Sequence, residues 1–389
     1  MTIENTFNAA GGTNLRNQDL SALAQMLKTQ QAEKVDFVAP AQQIRADNGL
    51  VVINGAEAKL TEHGVTQVDG SYRPTSVMID GLPAKLGVPV GYLKKTHRDR
   101  PDLFDANVNG WLHGNHAGVP GDDRSFLVRT FRGDHGPGLG RALLSDKFKL
   151  IDNLDALTAT LDGVRAAGVP VDIRGCDLTE SRMYVRIQAE EIKAYAPTLL
   201  KGYRSPFSGA SGDDNPTVFA GFVISNSEVG AGAFTLTPQL VVQVCDNGMT
   251  ITKDVRRAVH VGSRMDEGLI QWSDETREQE INLIRSRTRD ALRTFLDVGY
   301  VTRQITKLEQ IAGKPLDGAA DVVRTVGKKL TFSETHIDGV LDHFISGGQR
   351  TAGGVLQAVT AYAQVIADAD VAANIEAQGI RAMELAAAI

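Results

Sequence analysis

Residues 217–262 hold a concentration of side chains that can do chemistry. A guanidinium group binds phosphate or carboxylate through two parallel hydrogen bonds. A thiolate with a neighbouring base is a nucleophile, and thiolate, imidazole and carboxylate groups are the usual ligands of zinc. The segment therefore allows polyanion binding, nucleophilic catalysis or metal binding. Its residues with polar, charged or thiol side chains that could take part, together with two glycines between them, are Asn226, Ser227, Glu228, Gly230, Cys245, Asn247, Gly248, Arg256, Arg257 and His260.

Metal binding and catalysis lack the residue spacing that would support them. Glu228, Cys245 and His260 show none of the CxxC, HxH or HExxH patterns that make a zinc site convincing. Cys245 ends the apolar run VVQVC, where a buried structural thiol is common. The sequence also lacks a GxSxG motif, a Walker A motif and a nicotinamide-binding fingerprint. We predict no catalytic residue, metal or cofactor, and keep an unrecognised hydrolase or metal enzyme at these three residues as an alternative.

Arginines outside this segment follow the periods of a helix and a strand. In the predicted helix 274–299, three arginines are spaced i, i+4, i+8 beside an apolar stripe that includes Ile284 and Leu292. Like charges at this spacing repel one another unless an anion, or carboxylates such as Glu278 and Asp290, balance them. In a predicted strand, two arginines flank Tyr184 on one face, which suits single-strand binding or a half-exposed sheet. With Arg256 and Arg257, the predicted phosphate contacts are Arg182, Arg186, Arg285, Arg289 and Arg293.

Composition describes a globular chain with an acidic balance. The 389 residues are 42% hydrophobic and carry a formal net charge of −6, which argues against indiscriminate nucleic-acid binding but allows a local basic surface. No apolar run is long enough to cross a membrane, and the N-terminus has no signal-peptide pattern. Two cysteines, Cys176 and Cys245, suit a reducing compartment. We expect a cytoplasmic protein with no membrane partner.

The coarse pattern alternates β-rich and helical segments. Runs at 217–226 and 233–245 predict a hairpin whose connection uses Asn226 and Ser227, either as ligand contacts or as turn formers that satisfy nearby backbone amides. A helix is predicted at 153–167, with Asp152 and Asp155 favouring its start. A strand is predicted at 125–132, followed by a glycine-rich flexible connection at 133–148. Helices are also predicted at 15–31 and throughout 302–389.

These segments predict an α+β fold, in which a twisted, mostly antiparallel sheet is covered by helices and followed by a helical C-terminal part. The predicted organisation is an N-terminal arm and short helix at 1–34, an α+β core at 35–273, and helices at 274–389 that pack on the core.

Several ordered motifs resemble one known family. SNSEVG is followed by VVQVCDNG and AVHVG, and the chain also contains LGVPVGYLKKTHRDRPDLFDANVNGWL at 86–112, LLSDKFKLIDNLDAL at 143–157 and RTAGGVLQAVTAYAQ at 350–364. These motifs resemble the phage- and plasmid-like family DUF932 over about residues 35–364. The resemblance implies that the protein comes from a mobile element, and it implies no activity. It marks residues 226–230, 245–248 and 260 as the turn residues of the family motif.

The order of the helix at 153–167, the hairpins at 170–190 and 217–252, and the arginine-bearing helix also resembles that of ring-forming single-strand annealing proteins. This likeness is an analogy at the level of the fold. We predict a non-enzymatic, homo-oligomeric DNA-binding protein of a phage or plasmid that acts on single strands in recombination or replication. The alternative from another class is a structural or host-interaction protein that assembles through its alanine-rich helices.

Overall fold

The computed structural model describes residues 14–61, 64–114, 118–133, 136–246, 248–252, 255–258 and 274–389. Its strands form two large sheets and one small hairpin, and most of its helices follow the last strand. The predicted α+β class, with a helical C-terminal part, is confirmed. The strands are divided between two sheets because alternation along a strand identifies a buried face but not the partner strand.

The strands are β1 (Leu15–Gln18), β2 (Lys34–Pro40), β3 (Ile44–Asp47), β4 (Leu50–Ile53), β5 (Lys59–Thr61), β6 (Gly64–Thr66), β7 (Gly70–Pro74), β8 (Ser125–Phe131), β9 (Gly138–Ser145), β10 (Asp172–Leu178), β11 (Met183–Tyr195), β12 (Thr217–Asn226), β13 (Phe234–Val242), β14 (Gly248–Thr250) and β15 (Arg256–Ala258).

The helices are α1 (Leu20–Glu33), α2 (Ser76–Leu86), α3 (Val90–Asp99), α4 (Pro101–His113), α5 (Asn153–Ala167), α6 (Pro197–Leu200), α7 (Asp274–Phe295), α8 (Val298–Ala312), α9 (Ala319–Lys329), α10 (Glu334–Gly347), α11 (Ala352–Val365), α12 (Ala369–Glu376) and α13 (Gly379–Ala387).

The first sheet has the order β1-β10-β11-β12-β13-β14, and β15 pairs with the start of β13. All its pairings are antiparallel, and β10–β11 and β12–β13 are hairpins, whereas β11 and β12 are joined through α6. One face of β12 is apolar and includes Phe222 and Ile224, which lie in a core shared with α1, α5 and the C-terminal helices. The opposite face of β11, β12 and β13 carries polar side chains, and we call it the polar face.

The second sheet has the order β2-β8-β9-β7-β4-β3 and contains one parallel pair, β7 with β9. It encloses a separate core with α2, α3 and α4. A third, small apolar cluster joins the two halves: Val229, from the β12–β13 connection, packs against Leu127, Ala142 and Leu144 of β8 and β9. The tip of the hairpin in the first sheet therefore touches the second sheet. The predicted domain boundaries at 34 and 273 stay predictions.

The prediction of a flexible connection at 133–148 is wrong for half of its length, because Gly138–Ser145 forms the central strand β9. Its glycines serve close packing. A Cβ atom on Gly138 would lie 2.7 Å from the ring of Tyr72, and one on Gly140 would lie 2.6 Å from Sδ of Met78. Glycine enrichment thus marks the approach of β7 and α2 to the strand.

Helix boundaries differ from their predictions at polar caps. The helix predicted at 15–31 begins at Leu20, because Asp19 accepts a hydrogen bond from the Ala22 amide and residues 15–18 join the sheet. The helix predicted at 274–299 ends at Phe295, and Asp297 then caps α8 through the Tyr300 amide. No helix of the described segments has the length and apolar character that crossing a membrane requires.

Candidate functional site

The predicted turn residues 226–230 form the buried tip of the β12–β13 hairpin. Asn226 and Ser227 are fully buried, and Glu228 is 6% exposed. Ser227 Oγ accepts the Ala231 amide at 2.9 Å, as a turn former does. Asn226 instead donates to the Ile151 carbonyl and to Asn153 Oδ1, both at 2.9 Å, so its amide holds the start of α5.

Glu228 joins the two sheets through ionic hydrogen bonds. Its Oε1 accepts from Arg141 Nη2 on β9, and its Oε2 accepts the Asn153 amide at the first residue of α5, at 2.8 Å. Burial opposes the carboxylate charge, but Arg141 and Arg129 outweigh it and lower the pKa of Glu228. A side chain from a distant hairpin therefore performs the capping of α5 that the sequence assigned to Asp152.

Asp152 does not cap α5 through its side chain, so that prediction is wrong. It occupies the N-cap position of α5, but its side chain makes no capping bond. Its oxygens accept from Arg129 Nη2 at 2.7 Å and from Lys34 Nζ at 2.5 Å. Arg129 also donates to Asp36 at 2.8 Å and to the Glu228 carbonyl at 2.5 Å. These cations outweigh burial and lower the pKa of Asp152.

We call Arg129, Arg141, Asp36, Asp152 and Glu228 the tip network. Arg129 has no exposed surface, and Arg141 stacks on the ring of Phe131 with its Cζ 4.1 Å from the centroid. Most strong donors and acceptors of the network are used inside the protein. Its chemistry is therefore that of a structural clamp between the two sheets.

A second charged network lies on the polar face. Asp177, on β10, accepts from Arg186 Nη1 at 2.6 Å and from Arg16 Nη1 at 2.9 Å. Glu376, at the end of α12, accepts from Gln239 at 2.6 Å and from Thr250 at 2.9 Å, and its Oε2 lies 3.9 Å from Arg186 Nε. We call Asp177, Arg186 and Glu376 the face network.

Burial dominates the ionisation of Glu376 and raises its pKa, although Arg186, Thr250 and Gln239 act in the opposite direction. The start of α12 is fixed to the same face, because Asp370 accepts from the Tyr184 hydroxyl at 2.8 Å and from Thr179 at 2.9 Å. Asp370 and Glu376 of α12 thus accept hydrogen bonds from side chains of the polar face.

The predicted phosphate contacts are separated by this arrangement. Arg186 is an internal ion-pair partner, and Arg182 donates to the Ala231 carbonyl. Arg256 and Arg257 lie on β15, opposite Leu236 and Thr235, and their side chains lie outside the described residues. The remaining predicted contacts, the three arginines of α7, are not on the polar face. Arg285 and Arg293 are exposed, and Arg289 pairs with its neighbour Asp290 at 3.0 Å.

Glu228 and Cys245 lie far apart, so the predicted group of Glu228, Cys245 and His260 is not formed. Glu228 precedes β13 and Cys245 follows it, and a nine-residue strand spans about 30 Å. Cys245 is buried in the first core, and neither cysteine forms a disulfide. Asn247 and His260 lie outside the described residues. Among the residues that are described, no group of histidine, cysteine and carboxylate side chains has the arrangement of a metal site.

Sequence reasoning missed Arg129, Arg141, Asp177 and Glu376. Arginines within apolar runs, as in SFLVRTF and GLGRALLS, are the one local signal for the first two, because an arginine on a buried strand needs a buried acidic partner. Nothing local marks Asp177 or Glu376.

Comparisons of the chain with known protein families, with curated proteins and with solved structures find no match.

Proposed function

We propose that this protein is a non-enzymatic DNA-binding protein of a phage or plasmid, and that it holds single strands along α7. The observation that carries the proposal is the row of Arg285, Arg289 and Arg293, in which the first and last residues are exposed and Arg289 is partly exposed. Spacing of i, i+4, i+8 places the three guanidinium groups on one flank of the helix over a rise of about 12 Å.

Charge balance on α7 supports the proposal. Within the described part of the chain, Arg285 and Arg293 form no ion pair, whereas Arg289 makes an exposed contact with Asp290. A row of like charges costs helix stability unless an anion neutralises it. The stripe on the same helix, which includes Ile284, Thr288 and Leu292, is buried in the core, so packing does not account for the arginines.

The structure narrows the set of contacts that the sequence suggests. Arg182 and Arg186 line a cavity on the polar face, to which α7 contributes no residue, so they are left out of the proposed DNA surface. Arg256 and Arg257 stay predicted contacts. The mobile-element origin rests on the motifs shared with DUF932, and the homo-oligomer rests on the analogy to annealing proteins.

The test replaces Arg285, Arg289 and Arg293 together by alanine and measures binding of a fluorescent single-stranded oligonucleotide by anisotropy at several salt concentrations. Each phosphate contact on a single strand contributes about 0.7 to the slope of log affinity against log salt. The triple variant should therefore lose about 2 from the slope and bind at least tenfold more weakly at low salt.

Arg287→Ala is the matched control, because Arg287 is exposed on the same helix and, two residues from Arg285, lies on its opposite flank. It should keep the wild-type slope. Wild-type binding by a folded triple variant would contradict the proposal. A salt-insensitive oligomer with no oligonucleotide binding would favour the assembly alternative, although α11, within the alanine-rich part of the chain, is already buried in the protein.

A further inference from the structure

Two cavities of about 230 and 200 Å³ adjoin on the polar face, and both are lined by Arg186 and Glu376. Arg16 and Arg174 also line the first cavity, and Arg182 lines the second. Each cavity alone is smaller than a typical ligand site, but the two together reach the lower end of the usual range of about 300–1,000 Å³. Arg186 lies where they meet.

Arg186 has hydrogen-bonding capacity that the protein does not use. A guanidinium group presents five N–H donors. Within the described residues, Nη1 donates to Asp177, Nε is 3.9 Å from Glu376 and too far for a hydrogen bond, and Nη2 has no partner. The side chain is only 17% exposed. Its spare N–H groups are therefore open to water or to a ligand in the two cavities that Arg186 lines.

The guanidinium groups around the cavities can bind an anion. Four arginines line the two cavities together with the carboxylates of Asp246 and Glu376. Arg16 and Arg186 pair with Asp177, and Arg174 pairs with Asp246 and Glu190, so an anion would meet the N–H groups that these pairs leave free. The planar fork of Arg186 matches the oxygen geometry of a phosphate group.

The wall of the second cavity is rich in hydroxyl groups. Ser225, Thr235, Thr237 and Thr250 come from three adjacent strands, and the register of β12 and β13 places Ser225 opposite Thr235. The hydroxyls of this pair are 2.7 Å apart. A hydroxyl both donates and accepts, so a row of them suits a ligand that carries several hydroxyl groups of its own.

We propose that the two cavities together bind a small phosphorylated sugar, with its phosphate on Arg186 and its hydroxyl groups along the wall of Ser225, Thr235, Thr237 and Thr250. This site is independent of the proposed DNA contacts, because α7 contributes no residue to either cavity.

Isothermal titration calorimetry tests the proposal with ribose 5-phosphate, inorganic phosphate and ribose as separate probes. Ribose 5-phosphate should bind in the micromolar to low millimolar range, inorganic phosphate at least tenfold more weakly, and ribose not measurably. Equal affinity for ribose 5-phosphate and inorganic phosphate would overturn the assignment of the hydroxyl wall. Absence of binding by ribose 5-phosphate would overturn the site, and the cavities would then hold water.

Arg186→Gln should reduce the affinity for ribose 5-phosphate at least tenfold. Because Arg186 supports the fold through Asp177, its replacement could also affect folding, and two further variants keep the proposal testable. Arg174→Ala changes a side chain that is 40% exposed and lines the first cavity. Thr237→Val removes one hydroxyl group with little change of shape. Each should weaken binding severalfold. Wild-type affinity in both would overturn the proposal, whereas the triple arginine variant of α7 should bind ribose 5-phosphate normally.

Discussion

The tip network and the face network differ in how fully their central arginine is used. In the tip network, every nitrogen of Arg129 donates a hydrogen bond, to two carboxylates and one carbonyl, although Asp36 Oδ1 and Arg141 Nη1 are buried without a partner among the described residues. In the face network, Arg186 makes one hydrogen bond and borders two cavities. An arginine whose donors are all used fixes structure, whereas one with spare donors beside a cavity can bind a ligand.

The two networks also differ in the direction of their pKa shifts. In the tip network the cations prevail, and the pKa of Glu228 and of Asp152 is lowered. In the face network burial prevails, and the pKa of Glu376 is raised. Two glutamates buried to a similar extent therefore affect stability in opposite directions as pH changes.

The largest expected effect is that of Glu228→Gln. The substitution keeps the shape but leaves Arg141 buried without a counter-charge, and breaking one side of a buried pair costs about 3–5 kcal/mol. We expect a loss of this size in the free energy of unfolding at pH 7, measured by urea denaturation. Glu190→Gln, at an exposed carboxylate, is the control and should change stability by less than about 0.5 kcal/mol. A similar small change for Glu228→Gln would refute the clamp.

A smaller effect distinguishes the glycines of the two regions. Gly230, in the hairpin tip, has φ of +82°, where a residue with a Cβ is strained. Gly230→Ala should cost about 1–3 kcal/mol of unfolding free energy. Gly248, beside the face network, lacks a positive φ, and its added Cβ would press on the Gln239 amide.

Gly248→Ala should therefore destabilise the protein less than Gly230→Ala and reduce the affinity for ribose 5-phosphate, because it disturbs the Gln239–Glu376 contact at the first cavity. Denaturation and calorimetry on the two variants give the comparison. If Gly248→Ala costs more stability and leaves the affinity unchanged, the division into a clamp and a ligand site is incorrect.

The smallest expected effect is that of Glu376→Gln. Because the folded pKa is raised, the contribution of Glu376 to stability is complete below the ordinary value of 4.5 and is lost as pH rises through the folded pKa. At pH 7 the neutral variant should therefore be at least as stable as wild type. Urea denaturation from pH 4 to 8 measures this.

Glu228→Gln should show the opposite dependence in the same experiment. Its lowered pKa means that wild-type Glu228 contributes stability above the ordinary value, and that this contribution is lost on acidification. The difference between wild type and Glu228→Gln should therefore shrink as pH falls. If the stability difference from wild type changed in the same direction with pH for both variants, the two networks would not differ as described.

Much of the local structure could be predicted from the sequence. The helix at Asn153–Ala167 and the strand at Thr217–Asn226 have their predicted boundaries, because a helical apolar stripe ending at Gly168 and a β-rich run ending in turn residues are local signals. Strand β9 was missed, since its glycines indicate a loop unless Tyr72 and Met78 are known to lie against them.

The candidate sites were less predictable than the elements. Arg186 was predicted as a phosphate contact from its alternation with Tyr184, and its position on a polar strand face is confirmed. Its pairing with Asp177 depends on the register of β10 with β11, and the position of Glu376 depends on where α12 returns to the sheet. Neither has a local signature.

The sequence by itself determined the fold class, the main hairpins and the arginine row of α7, because the periodicity of a strand or a helix depends on residues close together in the sequence. The tertiary structure decided which charges meet. It brought Glu228 to Arg141 across 87 positions and Glu376 to Thr250 across 126, and it buried both carboxylates. Ionisation depends on burial and on the nearest opposite charge, and both are fixed only when distant segments pack together.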